Sequence, residues 1–410
     1  MLQTALVTLI SAASSTTALT LEEVLSEVAQ RAPMLRAQDE SILAARAAVE
    51  RAGAWDDPVL SFMIEDVALG DSASAMHPML TYRVAQPLNL FGRRGSAKTL
   101  AAARVSTEES LRRRVELDAR FEAAMSFYDL WMIQEMDGVL ARQIATLERM
   151  RSSAKAQYES GLMMGHHDFL RAESELAVMK AERDSLVDQR DAAAVMLDAL
   201  RGKEPRDDVL RVQIPAPSPL PELAEIEPRA QARPELDVMR SMKTAARAEK
   251  AIAQSMYWPM VMAGFLLQQR LGPEPTSIGA EVSVSLPIFF WDRQDYELAM
   301  AEAMERRADR ELEAMTLMTQ AEVRRAVSRA RAADRTLRAL EDVALPRMRE
   351  TVDSAEAAYR TSTGTFLALL DSVLSLQSRE ALRIKALVER EIAILEITRL
   401  VGRGRVEPPT

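Results

Sequence analysis

The densest string of potentially reactive side chains is Met163-Met164-Gly165-His166-His167-Asp168. Thioether and imidazole groups are soft to borderline ligands that suit copper and zinc. The pair His166 and His167 makes up two of the three histidines in the chain. Adjacent helical residues diverge by about 100°, so one copy does not readily place both rings on one ion. A three-fold ring of one histidine could, which leaves His166 and His167 as weak metal candidates. Contact with a protein partner is the stronger reading of this string. Asp168 closes it, and Asp371 occupies a similar place in Leu369-Leu370-Asp371-Ser372. Each carboxylate follows a turn between helices, where the dipole of a helix start favours an acidic side chain. No phosphate-cradling glycine loop, His-Glu-x-x-His or nucleophile motif is present. The sequence therefore argues against an enzyme and calls for no cofactor. The 23 methionines tempt a copper reading. Their spacing, as at Met125, Met132, Met136 and Met150, is instead that of flexible core filling.

Those residues sit in a chain built for long helices. Charged residues make up 28% of the 410 positions, aromatics 5%, and there are 14 glycines and no cysteine, a profile of helices and coiled coils. The net charge of −9 lacks the basic stripe that nucleic acid requires. It fits an acidic solvated surface or a path for cations. Without cysteine there is no disulfide framework, no thiolate zinc site and no thiol to acylate. Residues 1–18 are apolar, small and uncharged, and are expected to be a signal peptide, although the basic segment that usually opens one is missing. The bland alternative is a frayed apolar terminus. No later run of about 18 apolar residues exists, so no transmembrane helix is expected.

The chain also repeats itself. Pro33 and Pro234 lie 201 residues apart (234 − 33), and Arg46/Arg247, Pro58/Pro259 and Tyr158/Tyr359 share that offset. So long a period marks a duplicated unit rather than a solenoid. The first copy is expected over 19–202, a Pro-rich connector over 203–228, the second copy over 229–402 and a tail over 403–410. Thr20 with Glu23 forms a capping box, and Pro33 breaks the first helix. Strict alternation then predicts strands near 59–67 and 80–86, the second ended by Pro87, and their counterparts near 260–269 and 278–286. Long helices follow each strand pair. The first, from about Ser96 to Tyr158, would measure roughly 90–100 Å and carries two apolar seams. The second is expected to kink at Pro346.

Four strands do not close a barrel, which needs about eight. Their two faces, apolar and polar, nevertheless suit lipid outside and water inside. Three copies would supply about twelve strands and bury both seams of every long helix. A charge on the lipid face is expensive, so Glu65, Arg83 and Glu281, with Ser61, Thr81 and Ser283, are expected to line a lumen. Arg93, Arg94 and Arg293 follow the strands and are expected at the membrane border. The expected fold class is mainly α with a small β part: duplicated long-helix hairpins in a trimeric α-barrel, with four strands per chain in a shared 12-stranded barrel.

Order and motifs resemble the TolC-like outer-membrane efflux factors. The resemblance rests on Ala32-Pro33-Met34-Leu35, Gln86-Pro87-Leu88-Asn89-Leu90-Phe91-Gly92-Arg93-Arg94, Leu286-Pro287-Ile288-Phe289-Phe290 and the turns at Tyr158–Gly161 and Tyr359–Gly364. The strings Ala52–Ser61 and Phe91–Gly95 look most like the heavy-metal (CzcC/CusC-like) branch. The resemblance implies a homotrimer in outer-membrane lipid of a Gram-negative bacterium, with a long periplasmic extension. It implies a passive conduit joined by a periplasmic adaptor (membrane fusion protein) to an inner-membrane pump of the resistance–nodulation–division type. It places Asp168 and Asp371 at a periplasmic aperture. The hairpin tips, with Gly161, Met163, Met164, Gly165, His166, His167, Thr363, Gly364 and Thr365, become partner contacts. Drug, siderophore or polypeptide export remains open as the cargo, and a periplasmic coiled-coil adaptor or scaffold as a different class.

Overall fold

The computed structural model describes residues 18–67, 77–159, 164–204, 210–361 and 363–402. The expected signal peptide (apart from Ala18), Gly161, Met163 and the tail lie outside the described residues. The element order is β1 (Leu19–Thr20), α1 (Leu21–Arg31), α2 (Pro33–Gly53), β2 (Val59–Glu65), β3 (Met79–Leu88), α3 (Arg93–Glu159), α4 (Met164–Leu200), β4 (Val212–Gln213) and α5 (Leu223–Arg229). It continues with α6 (Pro234–Ser255), β5 (Met260–Arg270), β6 (Ser277–Ser285), α7 (Gln294–Ala339), a π turn (Leu340–Ala344), α8 (Leu345–Arg360) and α9 (Phe366–Leu400). No described helix is long and apolar enough to cross a membrane.

The chain divides into two compact units. One holds the residues up to Leu35, Val115–Ala230 and those from Gln320 onward; the other holds Arg36–Arg114 and Gln231–Thr319. In the first unit, Thr20 caps α1: its hydroxyl accepts from the Glu23 N–H at 3.4 Å, and the Glu23 carboxylate accepts from the Thr20 N–H at 2.9 Å. Val24 and Val28 of α1 pack on Ala123, Phe127 and Leu130 of α3 and on Leu197 of α4, all buried. Alanine at 123 and 124 lets these helices approach closely.

Two buried arginines hold this unit together. Arg201 pairs with Glu27 at 2.6 Å and Asp198 at 2.8 Å, and Lys203 reaches the same Glu27 at 2.6 Å. Burial pushes the Glu27 carboxyl up, but hydrogen bonds from Arg201 and Lys203 outweigh it and hold the group below its ordinary value. Arg390 donates to Asp334 at 2.7 Å and to the Ser218 carbonyl at 2.6 Å, and also to Glu391. Burial there keeps Glu391 above its ordinary value despite Arg390. Gly202 and Gly402, mates in the repeat, both take positive φ (68° and 73°) just past α4 and α9, where glycine ends a helix at least cost.

In the second unit the strands form one antiparallel sheet of order β2-β3-β5-β6. Among the described residues, the two outer strands, β2 and β6, each have one edge without a strand partner.

The structure adjusts several expectations. β2 stops at Glu65 rather than Val67, because Asp66 adopts φ 59°, which takes it out of the extended region. β3 does not end at Pro87 but continues to Leu88. The β2 partner of β3 has already run out at the Val59–Ala85 pair, so that flank is open beside Pro87, as on an edge strand. The expected kink at Pro346 is a π turn immediately before it: the Leu345 N–H bonds to the Leu340 carbonyl, five residues back. A widened turn spares the proline ring a clash with the carbonyl four residues earlier. Of the four methionines named as core filling, Met150 is buried and Met125, Met132 and Met136 are half-buried. The connector also holds structure, since β4 pairs in parallel with β1 and α5 buries Ile226 against Val323 and Ile397.

Candidate functional site: sheet wall and hairpin tips

Alternation gives the sheet two unlike faces, and the register shows how they line up. Leu60, Phe62 and Ile64 share a face with Leu80, Tyr82, Val84, Phe265, Leu267, Ile278, Val282 and Val284. This face is apolar and open to the surroundings, with Phe265 at 72% and Ile278 at 81% exposure. The other face holds Ser61, Glu65, Thr81, Arg83, Glu281 and Ser283 together. Arg83 and Glu281 form an ion pair at 2.9 Å. At one end of this face Arg270 lies 3.5 Å from Asp66 and 3.1 Å from Glu274. An exposed apolar face behind a charged one is the pattern of a wall between lipid and water.

Where strands meet helices the same unit gathers aromatic rings. Phe91 (φ 61°) stacks on Trp258 with centroids 5.0 Å apart and planes 11° from parallel. The Arg94 guanidinium lies 4.3 Å over Trp55 and also donates to the Gly53 carbonyl. Phe289, Phe290 and Trp291 pack edge to face and are exposed. Exposed Trp and Phe beside an apolar strand face match the aromatic girdle at a membrane interface. Reading single motifs missed this collar, although the run Phe289-Phe290-Trp291 signals it. Asp56 accepts from the Asn89 side chain at 2.7 Å and, through its carbonyl, from Gln86 at 2.6 Å. The two strings that carry the heavy-metal resemblance therefore meet at this junction and shape the passage from strand to helix.

In the other unit the two hairpins share a buried cluster of Leu147, Ala154, Leu176, Tyr359, Phe366 and Leu370. At the second tip Thr365 caps α9, its hydroxyl accepting from the Ala368 N–H at 3.2 Å. The N–H groups of Thr363 and Gly364 both bond the Ala358 carbonyl, at 3.0 and 2.9 Å. A Cβ on Gly364 would lie 2.9 Å from the Ala358 Cβ, so glycine is what lets this turn close. At the first tip the Tyr158 ring lies 4.8 Å from the His166 ring, and His167 faces Asp168 at 3.7 Å. Met164 and Gly165 open α4. Asp168 is the fifth residue of α4 and Asp371 the sixth of α9; Asp168 is partly covered and Asp371 exposed. Among the described residues no three His, Asp or Glu side chains come together as metal ligands.

The sequence profile of the family described as outer membrane efflux protein matches residues 24–203 and 228–403. The chain belongs to that family. This efflux protein is thus a member of a family of channels and not an enzyme. Its fold aligns with that of the outer-membrane channel OprN at TM-score 0.81 and 21% identity, covering 94% of this chain and 90% of that one. CusC, whose crystal structures concern conformational changes accompanying folding and transmembrane channel formation, aligns at TM-score 0.81 and 16% identity, over 94% and 92%. The outer membrane protein VceC of Vibrio cholerae aligns at 0.79 and 17%, over 94% and 96%. Identities this low show the fold alone and do not separate one branch from another. A search of curated proteins returned no significant match.

Proposed function

We propose that this efflux protein is the outer-membrane channel of a tripartite efflux system and conducts its cargo passively. Three copies close a shared barrel of twelve strands, and their helical hairpins form the periplasmic tunnel. The observation that carries the reading is the sheet: one face apolar and exposed, the other holding every strand residue expected in a lumen, with an unpaired edge at β2 and at β6. In lipid an unpaired edge costs several kcal/mol per unsatisfied group, which further copies remove by closing the barrel. Ser61, Glu65, Thr81, Arg83, Glu281 and Ser283 then line the lumen, and the aromatic collar sits at the membrane border with Arg93, Arg94 and Arg293. Asp168 and Asp371 ring the periplasmic aperture, where their charge attracts cations and repels anions. The tips from Met164 to His167 and from Thr363 to Thr365 meet a periplasmic adaptor and the resistance–nodulation–division pump that supplies energy.

We take the cargo to be heavy-metal cations, a reading supported by the branch-like strings and the tip carboxylates. Drug or polypeptide export is the competing reading, and the likeness to solved channels does not separate it from metal export. Fractionation and mass measurement of the detergent-extracted protein test the channel. A trimer in the outer-membrane fraction supports it; a soluble periplasmic monomer or dimer overturns it in favour of an adaptor or scaffold. Growth of a deletion strain on copper, zinc and cobalt salts against a panel of drugs tests the cargo. Sensitivity confined to drugs would discard the metal reading.

A further inference from the structure

We propose that Arg83 and Glu281 are specificity-determining residues of the lumen, a charge-cancelling pair in which neither group biases the barrel toward ions of one sign. The inference rests on the reading of the polar sheet face as the lumen wall. The two residues come from different halves of the duplication, Arg83 on β3 and Glu281 on β6, and these strands are not neighbours. β5 lies between them, with Ala85, Gly264 and Glu281 in register across the three strands. Arg83, two residues before Ala85, reaches obliquely across β5 to bring its Nε within 2.9 Å of the Glu281 carboxylate.

Two features of β5 leave that path open. Gly264 has no side chain, and a Cβ there would lie 2.7 Å from the Val84 carbonyl oxygen and 3.0 Å from Ala85. Leu266, the β5 residue in register with Arg83, leans over Gly279 of β6, where a Cβ would lie 2.8 Å from its Cδ1. Two glycines on one face of a sheet are unfavourable for strand formation itself; here they clear the ground for a bridge between repeats. The two charges meet without the alignment of a hydrogen bond, so their mutual effect is mainly electrostatic.

Each copy would contribute one pair, and a three-fold barrel would multiply any imbalance into a ring. A ring of like charges in a pore selects by sign. Its reach is about 10 Å at 0.1 M salt and about 30 Å at 0.01 M. Paired, the two groups present no net charge to a passing ion. Separated, each imposes its own.

The test is the reversal potential of the purified protein in planar bilayers under a potassium chloride gradient at low salt. It uses a parent carrying Asp168→Asn and Asp371→Asn, so that the tip carboxylates do not set the reading. Glu281→Gln should move the cation-to-anion permeability ratio toward anions and Arg83→Gln toward cations, each by roughly twofold or more. The double variant should return to the parent. A conducting parent whose single variants match it, or shift in the same direction, overturns the pair, because a merely structural role gives no opposite signs. If a single variant does not assemble, the swapped pair Arg83→Glu with Glu281→Arg decides: parent-like preference supports the inference and altered preference overturns it. A parent that assembles but never conducts overturns the lumen reading together with this inference.

Discussion

The two hairpin tips of this chain descend from one repeat and have parted company. Tyr158 and Tyr359 are mates at the 201-residue offset, and His166 stands in the first copy near where Phe366 stands in the second. In both copies the tyrosine ring meets a ring in the first turn of the next helix, at centroid distances of 4.8 and 5.8 Å. Tyr359 and Phe366 are buried, at 7% and 3% exposure, within the cluster shared by both hairpins. Tyr158 is half exposed, at 48%, and its partner is polar and exposed. One contact has become part of a core and the other a surface feature. Duplication followed by such divergence lets one tip hold the hairpins together while the other is free to be shaped by a partner.

The comparison breaks most sharply at Phe366. Truncation by Phe366→Ala should cost about 3–5 kcal/mol, read as a lowered unfolding midpoint; a cost under about 1 kcal/mol would mean that the second tip is no more built than the first. Gly364→Ala follows. Its Cβ would press on Ala358, and overpacking of this kind costs about 2 kcal/mol. Limited proteolysis at the second tip should rise with it.

A third variant examines the base of the first hairpin rather than its tip. Glu27→Gln should cost about 1–2 kcal/mol at neutral pH by weakening charge-assisted bonds to Arg201 and Lys203. Glu27 is held below its ordinary value of 4.5. The stability it contributes is therefore complete above that value and is lost as pH falls through the lowered folded value. Parent and variant should converge once acidification passes below the lowered folded value; a gap that persists there would assign the loss to packing. The smallest effect is expected at the first tip, where His166→Ala should change stability by less than about 1 kcal/mol. The same substitution should weaken pull-down of the adaptor, and an unaltered pull-down would remove His166 from the partner surface.

Much of this was legible in the residues because it is periodic. Alternation along Leu60, Phe62 and Ile64, along Leu80, Tyr82 and Val84 and along Ile278, Ala280 and Val282 located three strands and sorted their faces, and the repeat located the fourth. Thr20 with Glu23 located the first helix start. What was hidden lacks a period. β1 and β4 are two residues each, too short to alternate. The π turn belongs to the backbone accommodation of Pro346, which composition marks only as a break. The Arg83–Glu281 pair depends on register, since parity assigns a face but not a neighbour, and the role of Gly264 follows only once β5 is known to lie between β3 and β6.

The open edges of β2 and β6 have a consequence for inheritance. In the proposed trimer a chain finishes its sheet only with other copies and shares its fate with them. A variant with a spoiled edge that still associates would act on its normal siblings: when half the chains carry it, about one trimer in eight is wholly normal. Partial loss of the chain and partial corruption of it are therefore different lesions, and the second is the more severe.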